Sequence, residues 1–488
     1  MKKKLLESIV LLFMILLSTG LSQSIDFSVL LTYTGGVHSP VDFVVGVDGS
    51  IYVAGGTREG LPVTENAFQK VYNGHNTWSG GDAYLMKLSP EGDLIYATYI
   101  GGRGGEESIR IALDSSGYIY VCGSTWSDDF PVTDQAFQTS KGPSADNFII
   151  KFSPELQMVA STFLGGNGFD YCSAIMIANQ RIYLTGRTNS SDFPVTKDAL
   201  DREYYDWKSP DPNWQSMIID VSLAVLSLDL DTLLYATYMG GKDRDEIVSV
   251  TPAKNHNLIL TGITWSDDYP TTPNCFDSTL GGQRDGFVTI LNPDLTKILY
   301  STLIGGQSID DITNTAEIVD SNGLLLSGNT NSSDFPITSD ARHTQSLGGE
   351  SDGFIMKFDL RTYRPVYSSL IGGTGADEIK VFTMMGNGNY LLIGQSQSPD
   401  YPVTPDALDP SFNGGDDMVL TILGDKMNVI NYSTFIGGSN YDKRIRSQCF
   451  DDNTVLISLH SISPDFPMTK QQVKFNQTEA AFLIKLKP

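Results

Sequence analysis

The chain has 488 residues, with 33 basic and 57 acidic side chains and a formal net charge of −24. That balance argues against nucleic acid, which needs clustered Lys and Arg to displace phosphate counterions, and against anionic membrane surfaces. The four cysteines, Cys122, Cys172, Cys275 and Cys449, have no metal-ligand spacing. A chain of this length can bury its own core without disulfides, and sequence alone does not choose among the pairings that four cysteines permit.

Residues 1–22 begin with Lys2, Lys3 and Lys4. An apolar run follows over 5–17, broken only by Glu7 and Ser8, and small residues occupy the end. This is the pattern of a secretory signal peptide, and the run is too short for a membrane span. A cut after Ser22 leaves 30 basic and 56 acidic residues, a net charge of −26. Residues 23–488 are therefore expected outside the cytoplasm, in the periplasm or at the cell surface. They are expected to be monomeric and not inserted in a membrane.

From residue 31 onward one phrase returns throughout. Ala97-Thr98-Tyr99-Ile100-Gly101-Gly102 is one of seven copies, whose first glycines fall at 35, 101, 165, 240, 305, 372 and 437. A second phrase, Phe130-Pro131-Val132-Thr133, keeps the same beat, with prolines at 62, 131, 194, 270, 336, 402 and 467. Two phrases in fixed phase over a whole chain mark a tandem repeat. Between them lies a hairpin pattern such as Ile109–Leu113, Asp114-Ser115-Ser116-Gly117 and Ile119–Cys122. A third strand follows the proline phrase (Phe148–Phe152), and the Gly-Gly phrase ends a fourth. Four short antiparallel strands per unit, without amphipathic helices, predict the blades of an all-β propeller.

The chain opens on a copy of the fourth strand (27–33) and ends on a copy of the third (481–486). These two are predicted to pair and close a seven-bladed ring, removing sheet edges that would template aggregation.

These phrases resemble the bacterial seven-bladed beta-propeller repeat (SBBP) family over residues 28–487. The resemblance implies the fold and no chemistry, because the family has no general catalytic motif.

Two sets of residues stand out as candidate sites. Five residues after the first glycine come Glu106, Asp170, Asp245, Asp310, Asp377 and Asp442. If the next strand is innermost, these carboxylates form a crown at one channel mouth, where they would collect a hard cation such as Ca²⁺. Alternatively, each caps its own loop by accepting backbone N–H groups. The spacing lacks the alternating acids of a calcium loop, and no other cofactor is expected. A second acidic phrase, Ser127-Asp128-Asp129 and its counterparts, is regular enough to read as a turn.

The other set lies where the repeats diverge. All five tryptophans fall between second and third strands, at 78, 126, 207, 214 and 265. The third unit carries an insertion over 201–214 with Tyr204, Tyr205, Trp207 and Trp214. Trp126 and Trp265 occupy matching positions in the flanking units, with Asn189 as their counterpart between them. Aromatic rings beside Asp and Asn suit a carbohydrate or an extracellular protein partner; packing between blades is the other reading. Catalysis finds little support, since the five histidines are scattered and no nucleophile motif or phosphate loop is present. The expectation is a secreted or cell-surface binding scaffold. The alternatives are a polysaccharide hydrolase or lyase at the channel mouth and a structural envelope protein.

Overall fold

The structure, a computed structural model, describes residues 24–32, 42–74, 81–205, 220–253, 255–313, 317–319, 323–449, 453–463 and 480–487. The signal peptide reading at 1–22 and Trp78, Trp207 and Trp214 lie outside the described residues.

Seven antiparallel sheets form the blades, with strands hydrogen-bonded in chain order inside each of the first six. Blade 2 is representative: Glu106–Leu113, Ile119–Thr125, Asp146–Phe152 and Met158–Leu164. In blade 5 the first strand is split into Asp310–Ile312 and Glu317–Val319. In blade 7 the order is Asp442–Cys449, Val455–Ser461, Ala480–Lys487 and then Ser24–Thr32 from the other end of the chain. Val29 pairs with Leu483 and Ser28 with Ile484 in the register of that closure. The first strands of blades 1 to 4, and those of blades 6 and 7, lie against one another, as innermost strands do.

In blades 1 to 6 the third strand is buried along nearly its whole length, as in Asp146–Phe152. Both of its faces pack on neighbouring blades, so the sequence reads as a continuous apolar run instead of an alternation. Seven hydrophobic cores result, one between each pair of neighbours. The closing one joins Phe43, Val53 and Tyr84 of blade 1 to Leu456 and Leu483 of blade 7.

The proline phrase and the Gly-Gly phrase are bonded to each other. The amide of Thr133 donates to the Ser161 carbonyl of the outer strand at 3.1 Å. The same bond joins Thr64 to Ala97, Thr196 to Ala236, Thr272 to Ser301, Thr338 to Ser368 and Thr404 to Ser433. The long loop thus runs along the free edge of its own blade and covers it, a common way of blunting an edge strand. The aromatic residue of the phrase turns inward. The Phe130 ring lies 4.4 Å from that of Phe148, tilted against it, and sits in the core between blades 1 and 2.

Cys122 and Cys172 meet in the core between blades 2 and 3, with their Sγ atoms 2.8 Å apart as free thiols. Burial pushes the Cys122 thiol well above its ordinary value.

Candidate functional site

The repeated acids lie inside the blade joints. Glu106, Asp170, Asp245, Asp310, Asp377 and Asp442 are at most 1% exposed. They therefore do not present themselves around an open channel mouth. Asp170 Oδ2 accepts the amide of Gly166 at 2.9 Å and the hydroxyl of Ser190 at 2.8 Å. That hydroxyl oxygen in turn accepts the amide of Gly168 at 2.8 Å. Asp245, Asp310, Asp377 and Asp442 repeat the amide and serine contacts. Glu106, one methylene longer, takes the hydroxyls of Thr125 at 2.7 Å and Ser127 at 2.6 Å. The second acidic phrase holds the same loop from outside: Asp129 accepts the amide of Arg103, Asp192 that of Asn167 and Asp268 that of Lys242.

A third repeated acid went unread in the sequence. Asp82, Asp146, Asp220, Asp285, Asp352 and Asp417 each open a third strand and accept an amide from the preceding loop. Their regular place was visible; what they bond was not. Each lies close to the joint acid of the next blade, across the first glycine. A Cβ on Gly101 would stand 2.3 Å from Glu106 Oε2 and 2.9 Å from Asp82 Oδ1, so only glycine fits. Both of those oxygens are buried without a hydrogen-bond partner. Burial is the main cause that raises Glu106 from 4.5 to about 8, Asp82 to about 6 and Asp146 to about 7. No group of three or more His, Cys, Asp or Glu side chains is placed to hold a metal ion among the described residues.

The aromatic set is different, because it is half-buried and continuous across blades. Trp126 follows the second strand of blade 2. Its ring lies 5.3 Å from Phe169, and its Nε1 donates to Glu107 at 3.0 Å. Phe169 stacks on Tyr171, and the Arg187 guanidinium lies 5.7 Å from the Tyr171 ring. Arg187 reaches Glu246 of blade 4 at 3.2 Å, and Glu246 also pairs with Arg244. Arg244 and Arg284 stand 4.9 and 5.1 Å from the centroid of Trp265. Arg284 then grips Asp311 of blade 5 through two bonds, at 2.5 and 2.7 Å. A strip of rings and guanidinium groups therefore crosses the loop face from blade 2 to blade 5.

Asn189 occupies the counterpart position in blade 3 and accepts the Phe169 amide. Tyr204 packs 5.8 Å from Tyr238, at the edge of the core. The amide of Tyr205 donates to Asp220 at 3.0 Å, and the charge of Asp201 is the main cause that raises its hydroxyl. Sequence reasoning picked out Trp126 and Trp265 and missed the arginines, whose offsets differ from blade to blade.

Residues 95–131 span one whole joint, from the outer strand of blade 1 through Gly101-Gly102, Glu106 and Trp126 to Pro131. They match the family model of the SBBP beta-propeller repeat. This joint is an SBBP repeat. Five further joints share its acid, serine and glycine contacts. A curated relative, the regulatory protein FlaEY of Caulobacter vibrioides, is 20% identical over 377 residues. That match covers 74% of this chain and 37% of FlaEY, so the chain spans about a third of that relative's length. Among solved structures, a PL25 ulvan lyase bound to an oligosaccharide aligns over 94% of this chain and 95% of its own, at 9% identity and TM-score 0.49. A protein of unknown function from Dyadobacter fermentans aligns over 95% and 99%, at 9% identity and TM-score 0.40. The Pan2 WD40 domain of Neurospora crassa aligns over 94% and 96%, at 9% identity and TM-score 0.40.

Proposed function

We propose that the protein is an exported, non-catalytic binding module that takes an extended carbohydrate chain across the loop face of blades 2 to 5. The observation that carries this reading is the strip from Trp126 to Asp311. Half-buried rings lie among guanidinium and carboxylate groups along it, the mixture of apolar and hydrogen-bonding surface that suits a sugar's C–H groups and hydroxyls. Pre-formed, part-apolar surfaces with a few fixed polar groups are the usual form of a ligand site. The basic, apolar start of the sequence supports export. A carboxylate-based hydrolase or lyase would need acids that reach the substrate. Glu106 and its five counterparts are instead buried and engaged with their own loops.

The test is a glycan array on residues 23–488, run beside a Trp126→Ala/Trp265→Ala variant. Binding by the natural chain and at least tenfold weaker binding by the variant, at a similar melting temperature, is the expected result. Retention by the variant of full affinity would remove the strip from the site. Capture of a protein partner in place of a glycan, again dependent on Trp126 and Trp265, would change the ligand and keep the surface.

A further inference from the structure

A cavity of about 280 Å³ lies where the innermost strands of blades 1, 2, 3, 4 and 7 converge, which places it on the ring axis. Asp42, Arg110, Ser173, Ser249, Arg446 and Ser447 line it. Four of these hold one structural position. Asp42 pairs with Ala54, Arg110 with Cys122 and Arg446 with Ser458 in the register of their blades. The same position is Ala174 in blade 3, Ser249 in blade 4 and Val381 in blade 6. Among the described counterparts, the cationic residue appears only in blades 7 and 2, on either side of Asp42.

The position is constant along the chain, four residues after the joint acid in blades 2, 3, 4, 6 and 7. A bulge precedes it: two residues face one between Glu107 and Arg110 and between Lys443 and Arg446, and one faces none between Cys172 and Ala174. In blade 2 Ser108, within this bulge, adopts φ 57°. A bulge of this kind re-aims the side chain beside it.

The charges in the cavity do not balance. Arg110 donates Nε to the Ser173 carbonyl at 2.8 Å and Nη1 to the Ile109 carbonyl at 2.9 Å, which leaves Nη2. Desolvation, then the charge of Arg110, lowers Arg446 to about 10. Asp42 spends its oxygens on the amides of Phe43 and Ile111. Two guanidinium groups therefore face one carboxylate. The Ser447 hydroxyl beside them is buried without a partner. Planar guanidinium donors with nearby hydroxyls match the geometry of an oxyanion. We propose that this axial cavity binds the oxyanion group of a small ligand, a carboxylate, sulfate or phosphate, between Arg110 and Arg446. The site is independent of the loop-face strip.

Sodium sulfate, sodium phosphate and sodium glucuronate are titrated against purified 23–488 at constant ionic strength, with chloride as the balancing salt and melting temperature as the readout. A saturable rise with at least one of the three is expected; the arm that saturates lowest identifies the anion. Arg446→Gln should weaken the response at least tenfold, and Asp42→Asn should strengthen it several-fold by removing the competing charge. A response no larger than that to chloride, or an equal response in Arg446→Gln, overturns the proposal. Should Arg446→Gln not fold, an unchanged or weaker response in Asp42→Asn overturns it equally. Trp126→Ala/Trp265→Ala should leave the anion response intact, which separates failure here from failure of the loop-face reading.

Discussion

Glu106 is an acid held where water does not reach it, beside a second acid, Asp82, in the same joint. Its hydroxyl partners favour the charged form, yet burial wins and raises it to about 8. Asp245 and Asp285 rise to about 7 for the same main cause. An acid whose folded value lies above its unfolded one makes the folded chain the stronger proton binder between the two. Its contribution is complete below the unfolded value, near 4, and is lost as pH rises through the folded value. The melting temperature should therefore fall from about pH 5 to about pH 8 as these joints ionise. Glu106→Gln should make that fall shallower by roughly 2 °C or more, read by calorimetry across the range. A slope unchanged by this substitution would mean that Glu106 ionises outside the window. The position of the joint acids was legible in the sequence because they recur at a fixed distance from Gly-Gly. Their environment was not, since whether a carboxylate faces a channel or a neighbouring acid depends on how two blades meet. The arginines of the cavity stood in the repeat frame, four residues after Glu106 and after Asp442, but nothing local in the sequence shows that this position faces the axis.

At the level of the element, each blade is tied by its own long loop. Phe130-Pro131-Val132-Thr133 does two things within four residues. Phe130 fills the core against Phe148 and Phe163, and Thr133 binds the outer strand at Ser161. Truncating a buried Phe leaves a void its neighbours close only in part, so Phe130→Ala should cost about 3–5 kcal/mol, measured as a shift in the urea midpoint. Trp126→Ala removes a half-buried ring and should cost much less, which is why it suits a binding test. The strands and their order were readable from phase and from Gly, Pro and Asp positions. The bond between the two phrases was not, because its partners lie 28 residues apart in blade 2 and nothing local announces it. The loop-face strip was legible only in its tryptophans. Arg187, Arg244 and Arg284 come from a second strand and from two loops, and meet only once three blades are set side by side.

For the whole molecule, seven inter-blade cores make a ring in which every blade has two neighbours. The pairing of Ser24–Thr32 with Ala480–Lys487 is the closure, and the sequence foretold it from the phase of the first and last phrases. Removing residues 24–32 leaves Ala480–Lys487 as an open edge. The melting temperature should drop by more than roughly 5 °C, and the protein should elute as larger species as bare edges pair; an unchanged melt and elution would mean that the closure contributes little. The same pairing also sets how the ring yields to force. Ser24 faces Lys487 at one end of the ladder, and Thr32 faces Ala481 at the other. The outermost residues of the two strands thus sit side by side. Tension applied through them peels the ladder one rung after another, where pulling from opposite ends would load all rungs at once. A ring that resists heat through seven cores is therefore mechanically soft along this one line, and gives way first at the seam where it was fastened.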